Sequence, residues 1–195
     1  MKQILLAVTG PDSFGVVYTT ASALSKLGCN FINMNQTTLC NQFSSLMIVE
    51  KPEELSNEDI QQSVKKELCE KGFDMSVTTR DIVRGEETLT EGEPFVITVD
   101  GPQEGSKDIL TAFTHVFYEG RINIDSFRSI EQPTDEEGKP LEKARVLLVF
   151  EVTVPFDADR KALHRTLADI AHDRHLSMSM QHRRIFEAIH RIIVG

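Results

Sequence analysis

The sequence predicts an α+β chain made of two copies of one βαββαβ module, and three observations predict it. A short apolar strand, Gln3–Thr9, runs into Gly10-Pro11-Asp12. A second, Phe95–Asp100, runs into Gly101-Pro102-Gln103, 91 residues after the first. Behind each turn the same succession of helical and strand periodicities follows, the signature of an internal repeat. The chain has 195 residues, long for one compact domain and enough for two small ones.

In the first copy, Phe14, Val17, Ala21 and Leu24 recur at helical spacing, and Gly28 is placed to end that helix. A strand over Asn30–Leu39, a turn at Cys40-Asn41 and a strand over Gln42–Val49 follow. Ser56 is a helix N-cap, with Asp59 three residues on in the capping-box position, before an Ile60, Val64, Leu68 stripe. Phe73, Met75 and Val77 alternate as a last strand. In the second copy the first helix carries Ile109, Ala112, Phe113 and Val116 and stops at Gly120. Then come a strand over Ile122–Ile130, a polar loop over Glu131–Lys143 and an apolar strand over Arg145–Val154. A helix opened by Pro155-Phe156-Asp157, with Leu163, Leu167 and Ile170, and a strand with Leu176, Met178 and Met180 complete it. Arg84–Glu93 is polar, holds two glycines and has no apolar period, so it reads as a linker between modules at 1–83 and 94–195. Strand-helix-strand-strand-helix-strand is the ferredoxin-like arrangement: an antiparallel four-stranded sheet with both helices on one face. Its other face needs covering, by the second module or by pairing across an edge.

Composition narrows the function. Net charge is −9, with 8 basic against 13 acidic residues in 1–92 and 13 against 17 in 93–195, so neither half has the basic footprint of a nucleic-acid binder. No apolar run is long enough for a bilayer, and the opening Ile4–Val8 run is too short for a signal-peptide core, which points to a cytoplasmic protein that binds neither membrane nor DNA directly. Cys29, Cys40 and Cys69 are odd in number and lack CxxC spacing, which argues against a disulfide framework and a structural zinc site. His172 and His175 stand at i, i+3 with His182 downstream, but without further ligands at metal spacing they read as an exposed basic helix end. There is no nucleophile elbow, phosphate loop or HExxH, and two small modules leave little room for a deep pocket, so the sequence predicts no catalysis, metal or cofactor.

Gly10-Pro11-Asp12-Ser13-Phe14-Gly15, Leu24, Leu27-Gly28-Cys29-Asn30, Gln36-Thr37 and Gln42-Phe43-Ser44 before Leu46–Val49 together resemble an ACT domain. The tandem layout resembles the glycine cleavage system transcriptional repressor family, and the tail Gln181–Ile192 resembles the tail of small single-ACT proteins. The resemblance covers nearly the whole chain and implies a regulator that senses a small amino acid, assembles as a homo-oligomer and acts through a partner protein. That partner would be a separate DNA-binding regulator or, alternatively, an amino-acid biosynthetic enzyme on which this chain docks. The second copy departs from the pattern: Gln103 replaces the acid, Glu104-Gly105-Ser106 stands where the first has Ser13-Phe14-Gly15, and Gly101 to Asn123 spans 22 residues against 20 for Gly10 to Asn30. The excess places a difference in the second copy's helix or its exit.

The Gly10–Gly15 turn is the candidate site. It joins a strand end to a helix N-terminus, where unpaired N–H groups and the helix dipole favour a carboxylate. Gly10 and Gly15 permit close backbone approach, Ser13 and Phe14 lie between them, and Asp12 is suited to an ammonium. Asn30 and Asn33, on the neighbouring strand, offer further donors and acceptors. The alternative is that Asp12 merely caps the turn and the glycines merely shape it. Gly101, Gln103, Gly105 and Asn123 form the corresponding second set. Glycine has about five heavy atoms, and at about −1.5 kcal/mol each its affinity ceiling is about −7.5 kcal/mol, so such a sensor works at micromolar to millimolar concentrations. The tail Arg184–Ile193 reads as an amphipathic helix that packs on its own module or docks on a partner.

Overall fold

The computed structural model of the protein describes residues 2–82, 91–134 and 140–193. The chain divides into two compact units, Met1–Glu86 and Glu87–Gly195. The expected linker lies outside the described residues up to residue 90, and its last two positions already belong to a strand that begins at Gly92.

In the first unit, β1 (Lys2–Pro11), α1 (Val16–Lys26), β2 (Asn30–Leu39), β3 (Gln42–Lys51), α2 (Asn57–Glu70) and β4 (Ser76–Asp81) form a sheet in the order β2-β3-β1-β4. The second unit repeats it with β5 (Gly92–Pro102), α3 (Ile109–Glu119), β6 (Asn123–Thr134), β7 (Pro140–Pro155), α4 (Arg160–His172) and β8 (Ser177–His182), order β6-β7-β5-β8, followed by α5 (Arg183–Ile193). All pairings are antiparallel. The repeat extends to detail. Gly10 and Gly101 hold equivalent strand-end positions, and both edge strands break register at the same place, at Phe31/Asn33 and at Ile124/Ser126.

Each unit has its own core. Ile4, Leu6 and Val8 meet Ile60, Val64 and Leu68 in the first; in the second Phe113 and Phe117 both pack on Phe150, with ring centroids 5.7 Å apart in each pair. The helix α2 is seated as the sequence predicts, whereas α4 begins at Arg160 and not at the Pro155-Phe156-Asp157 segment that the sequence offers as its opening. The Ser56 hydroxyl accepts from Asp59 N–H at 3.0 Å, and Asp59 Oδ2 accepts from Ser56 N–H at 3.2 Å, completing a capping box. Asp159 caps α4 by accepting from Lys161 and Ala162 N–H.

Three further expectations need correction. The stripe Phe14, Val17, Ala21 faces outward; α1 buries Val16, Thr19, Thr20, Ala23 and Leu24 instead. The helix carries small apolar groups on both faces, and two buried threonines hide the inward one. Thr20 Oγ1 donates back to Val16 O at 2.9 Å, so its hydroxyl is satisfied inside the core. The polar segment 131–143 is in good part hairpin: β6 runs to Thr134 and β7 starts at Pro140, while 135–139 lie outside the described residues. The last strands start at Ser76 and Ser177, so Phe73, Met75 and Leu176 precede them.

The helix α5 packs against β5 and β8 of its own unit. Arg183 reaches Asp125 Oδ2 at 3.3 Å and Glu151 Oε2 at 3.4 Å, pinning the start of α5 to the sheet. Ile185 remains more than half exposed, and the side chains of the predicted stripe at Ile189, Ile192 and Ile193 lie outside the described ones.

Candidate functional site

The first turn stands at the C-terminal end of β1 and is framed by two neighbours. Asp12 N–H donates to Asn41 O at 2.8 Å, tying the turn to the β2–β3 hairpin, whose Cys40 and Asn41 are both left-handed. On its other side lies the segment from α2 to β4: a Cβ on Gly10 would come within 2.6 Å of Asp74 O, and one on Gly15 within 3.5 Å of the Phe73 ring. The close approach that Gly10 permits is therefore to this chain's own backbone. Gly15 is the N-cap of α1 with φ 100°, a conformation that favours glycine. Thr19 N–H already bonds Gly15 O at 2.9 Å, so the helix proper begins there, and its first N–H groups have no intrahelical acceptor. Asp12 and Ser13 are exposed, and the Phe14 side chain is fully so. Phe14, Val17 and Tyr18 form an outward apolar face beside the turn.

Asn30 and Asn33 do not join this set. Asn30 pairs with Glu50 and through it with Gln3, seven residues down β1 from Gly10, about 24 Å along the sheet; Asn33, opposite Ile48 and Leu5, is about 17 Å away. The connectivity makes this inevitable, because α1 carries the chain back along the sheet before β2 begins. Asn33 Oδ1 instead accepts from Met34 N–H at 2.7 Å. The residues that do reach the turn, Asn41 and Phe73–Met75, are distant in sequence and carry no local signal for it.

The second turn is built differently. A 3-10 turn over Gln103–Ser106 precedes the N-cap Asp108, φ 59°. The two extra residues thus lie before the helix: α1 and α3 are both 11 residues long and have equal exits, which corrects the expectation of an altered helix or exit. Gln103 Nε2 donates to Glu131 Oε1 at 3.0 Å, and Ser106 Oγ donates to Gln103 O at 2.7 Å. Both glycines serve packing, with a Cβ on Gly105 falling 2.2 Å from Arg174 O and one on Gly101 2.6 Å from a Leu176 methyl. A cleft of about 430 Å³ there is lined by Glu104, Lys107, Arg174 and His175 among others. Asn123, like Asn30, is at the far end, opposite Thr153 and hence Pro94, and its Nδ2 donates to Asp125 Oδ1 at 2.7 Å.

Among the described residues no three His, Cys, Asp or Glu side chains converge as a metal site, and no helix is long and apolar enough to cross a membrane. Burial raises the Cys29 thiol pKa, with Lys51 opposing, which disfavours its reactive thiolate.

Comparison with known proteins agrees with this architecture. The family model of the ACT domain matches residues 2–80. A UPF0237 protein of Pyrobaculum aerophilum is 33% identical over 78 residues, covering 40% of this chain and 82% of that protein. The crystal structure of an unknown protein from Galdieria sulphuraria shares the fold across both units, with TM-score 0.73 and 18% identity over 93% of this chain and 98% of the other. So does that of a candidate glycine cleavage system transcriptional repressor, with TM-score 0.58 and 13% identity over 92% and 96% of the two chains. The chain belongs to the ACT-domain family and carries the module's fold twice.

Proposed function

We propose that this protein is a non-catalytic sensor whose first module takes a small free amino acid at the Gly10–Gly15 turn and relays its presence to a partner protein. The observation that carries the reading is the junction itself. An exposed carboxylate, Asp12, adjoins the N-terminal end of α1, so groups suited to an ammonium and to a carboxylate lie within one turn of chain. The exposed face of Phe14, Val17 and Tyr18 beside it supports a surface for a partner or a second copy of the chain, whose docking a bound ligand would alter. The fold shared with a candidate glycine cleavage repressor supports transcriptional control as the pathway, exerted through a separate DNA-binding protein because this chain has net charge −9. A thermal-shift screen of the full chain against the twenty amino acids tests the sensor. Stabilisation by a small one, lost in Asp12→Ala, supports it; no stabilisation by any at millimolar concentration contradicts it. Affinity capture then separates the two partner classes, a DNA-binding regulator or a biosynthetic enzyme.

A further inference from the structure

Among the described residues the two sheets have four edge strands, β2 and β4 in the first unit and β6 and β8 in the second. An edge strand offers its outer N–H and C=O groups to any other chain, and natural sheets blunt such edges with short strands, charges, proline or a covering element. Three of the four are blunted in these ways. The strands β4 and β8 are each six residues long; β4 ends in Arg80-Asp81, and α5 packs against β8. The strand β6 carries Asp125, Arg128 and Glu131, and Pro133 has no N–H to donate. Arg128 is held in place by Glu151, 2.9 Å away. The strand β2 has none of these devices. Its ten residues, Asn30–Leu39, include no charge and no proline, and all but Met34 are exposed. The bulge at Ile32 disturbs only its start, and the register from Asn33 to Leu39 is unbroken. A long, regular, uncharged edge is a template for another strand.

We infer that β2 is the edge through which two copies of this chain pair, antiparallel and about a two-fold axis, joining their first-unit sheets into one continuous sheet. An antiparallel strand can pair with its own copy, because the two-fold presents the same edge to itself. With the axis at Gln36, the middle of the regular stretch, Asn35 lies opposite Thr37 of the other copy and Met34 opposite Thr38. Amides and hydroxyls then face one another, and no like charges meet. This self-match makes a second copy the occupant, since β2 carries no charge that would select a different strand. The blunted β6 edge does not extend the assembly, so it closes at two copies and forms no filament. The pairing needs no ligand at the Gly10–Gly15 turn.

Sedimentation velocity of the full-length protein without added ligand tests the interface. The expected species at micromolar concentration is a dimer. Gln36→Lys sets two ammonium groups opposite each other at the axis and should weaken the dimer roughly ten-fold or more. Ser129→Lys, at the equivalent position of β6, should leave it unchanged. Amide exchange of the wild type holds as the test if Gln36→Lys fails to fold. Protection within Asn33–Leu39 should rise as the protein passes from monomer to dimer, and protection in β6 should not. Asp12→Ala should remain dimeric, so loss of the turn site is distinguishable from loss of the interface. A monomer at micromolar concentration, wild-type dimer affinity in a folded Gln36→Lys, or a dimer whose β2 amides are no better protected than the monomer's overturns the inference.

Discussion

The two modules end their helices in the same way with different residues. In the first, Gly28 and Gly72 adopt φ 69° and 81°; in the second, Arg121 and His175 adopt φ 51° and 58°. All four positions close the same paired-bond motif: Cys29, Phe73, Ile122 and Leu176 each donate an N–H to the carbonyl five residues back. A left-handed cap is thus required by the fold, and glycine is only the least strained way to make it. The first module is built close to that optimum, while the second carries strain at both helix ends.

The largest effect expected from this contrast is in the cores. The second is organised around Phe150 and two further phenylalanine rings, the first around aliphatic side chains with Phe43 its one fully buried aromatic. Phe150→Ala should destabilise the second unit by about 3–5 kcal/mol. Amide exchange should show the loss in β5–β8, with first-unit protection little changed. Equal loss of protection in both units would show that the units do not fold on separate cores.

Next come the helix ends. Gly72→Ala should cost about 1–2 kcal/mol, because nothing beyond its own chain neighbours lies within 4 Å of the added methyl and the backbone conformation is what opposes it. His175→Gly should stabilise by about 0.5–1 kcal/mol. Urea midpoints of the two variants should move in opposite directions; movement in the same direction would break the comparison.

Smaller still is the capping box, where Ser56→Ala should cost about 1 kcal/mol by urea titration. The carboxylates at these ends add a pH dependence. Bonds from Ser56 lower the pKa of Asp59, and bonds from Ala162 and Lys161 N–H lower that of Asp159. A carboxyl with a depressed folded-state pKa contributes stability that is present above its unfolded value, about 3.9, and is lost as pH falls through the folded value. Unfolding midpoints should therefore fall below about pH 4, and by less in Asp159→Ala than in the wild type.

Much of the fold was legible because the strand-turn signals at Gly10 and Gly101 are strong and the Ile60, Val64, Leu68 stripe has one dominant face. The face of α1 was not, since Val17 and Ala21 match the helical period as well as Val16 and Ala23 do, and only tertiary packing chooses between them. The left-handed Arg121 and His175 have no residue-type signal at all. The site was half legible. Its local part, Asp12 to Gly15, lies on one turn, but the strand of Asn30 and Asn33 is not the neighbour of β1: β3 lies between them, and the crossover of α1 carries both residues toward the other end of the sheet. The framing residues Asn41 and Phe73–Met75 come from later elements and become neighbours only through strand pairing.

The central contrast is between an exposed acid in the first turn and, in the second, an amide bonded to Glu131. An ammonium held by a carboxylate gains about 1 kcal/mol over one held by an amide, several-fold in affinity. Calorimetric titration of Asp12→Ala and Gln103→Ala with the small amino acid that stabilises the wild type tests it most directly. The account predicts at least several-fold weaker binding in Asp12→Ala, with the free protein's melting temperature nearly unchanged, and little effect of Gln103→Ala. Wild-type binding by Asp12→Ala, or abolition of binding by Gln103→Ala alone, would contradict it.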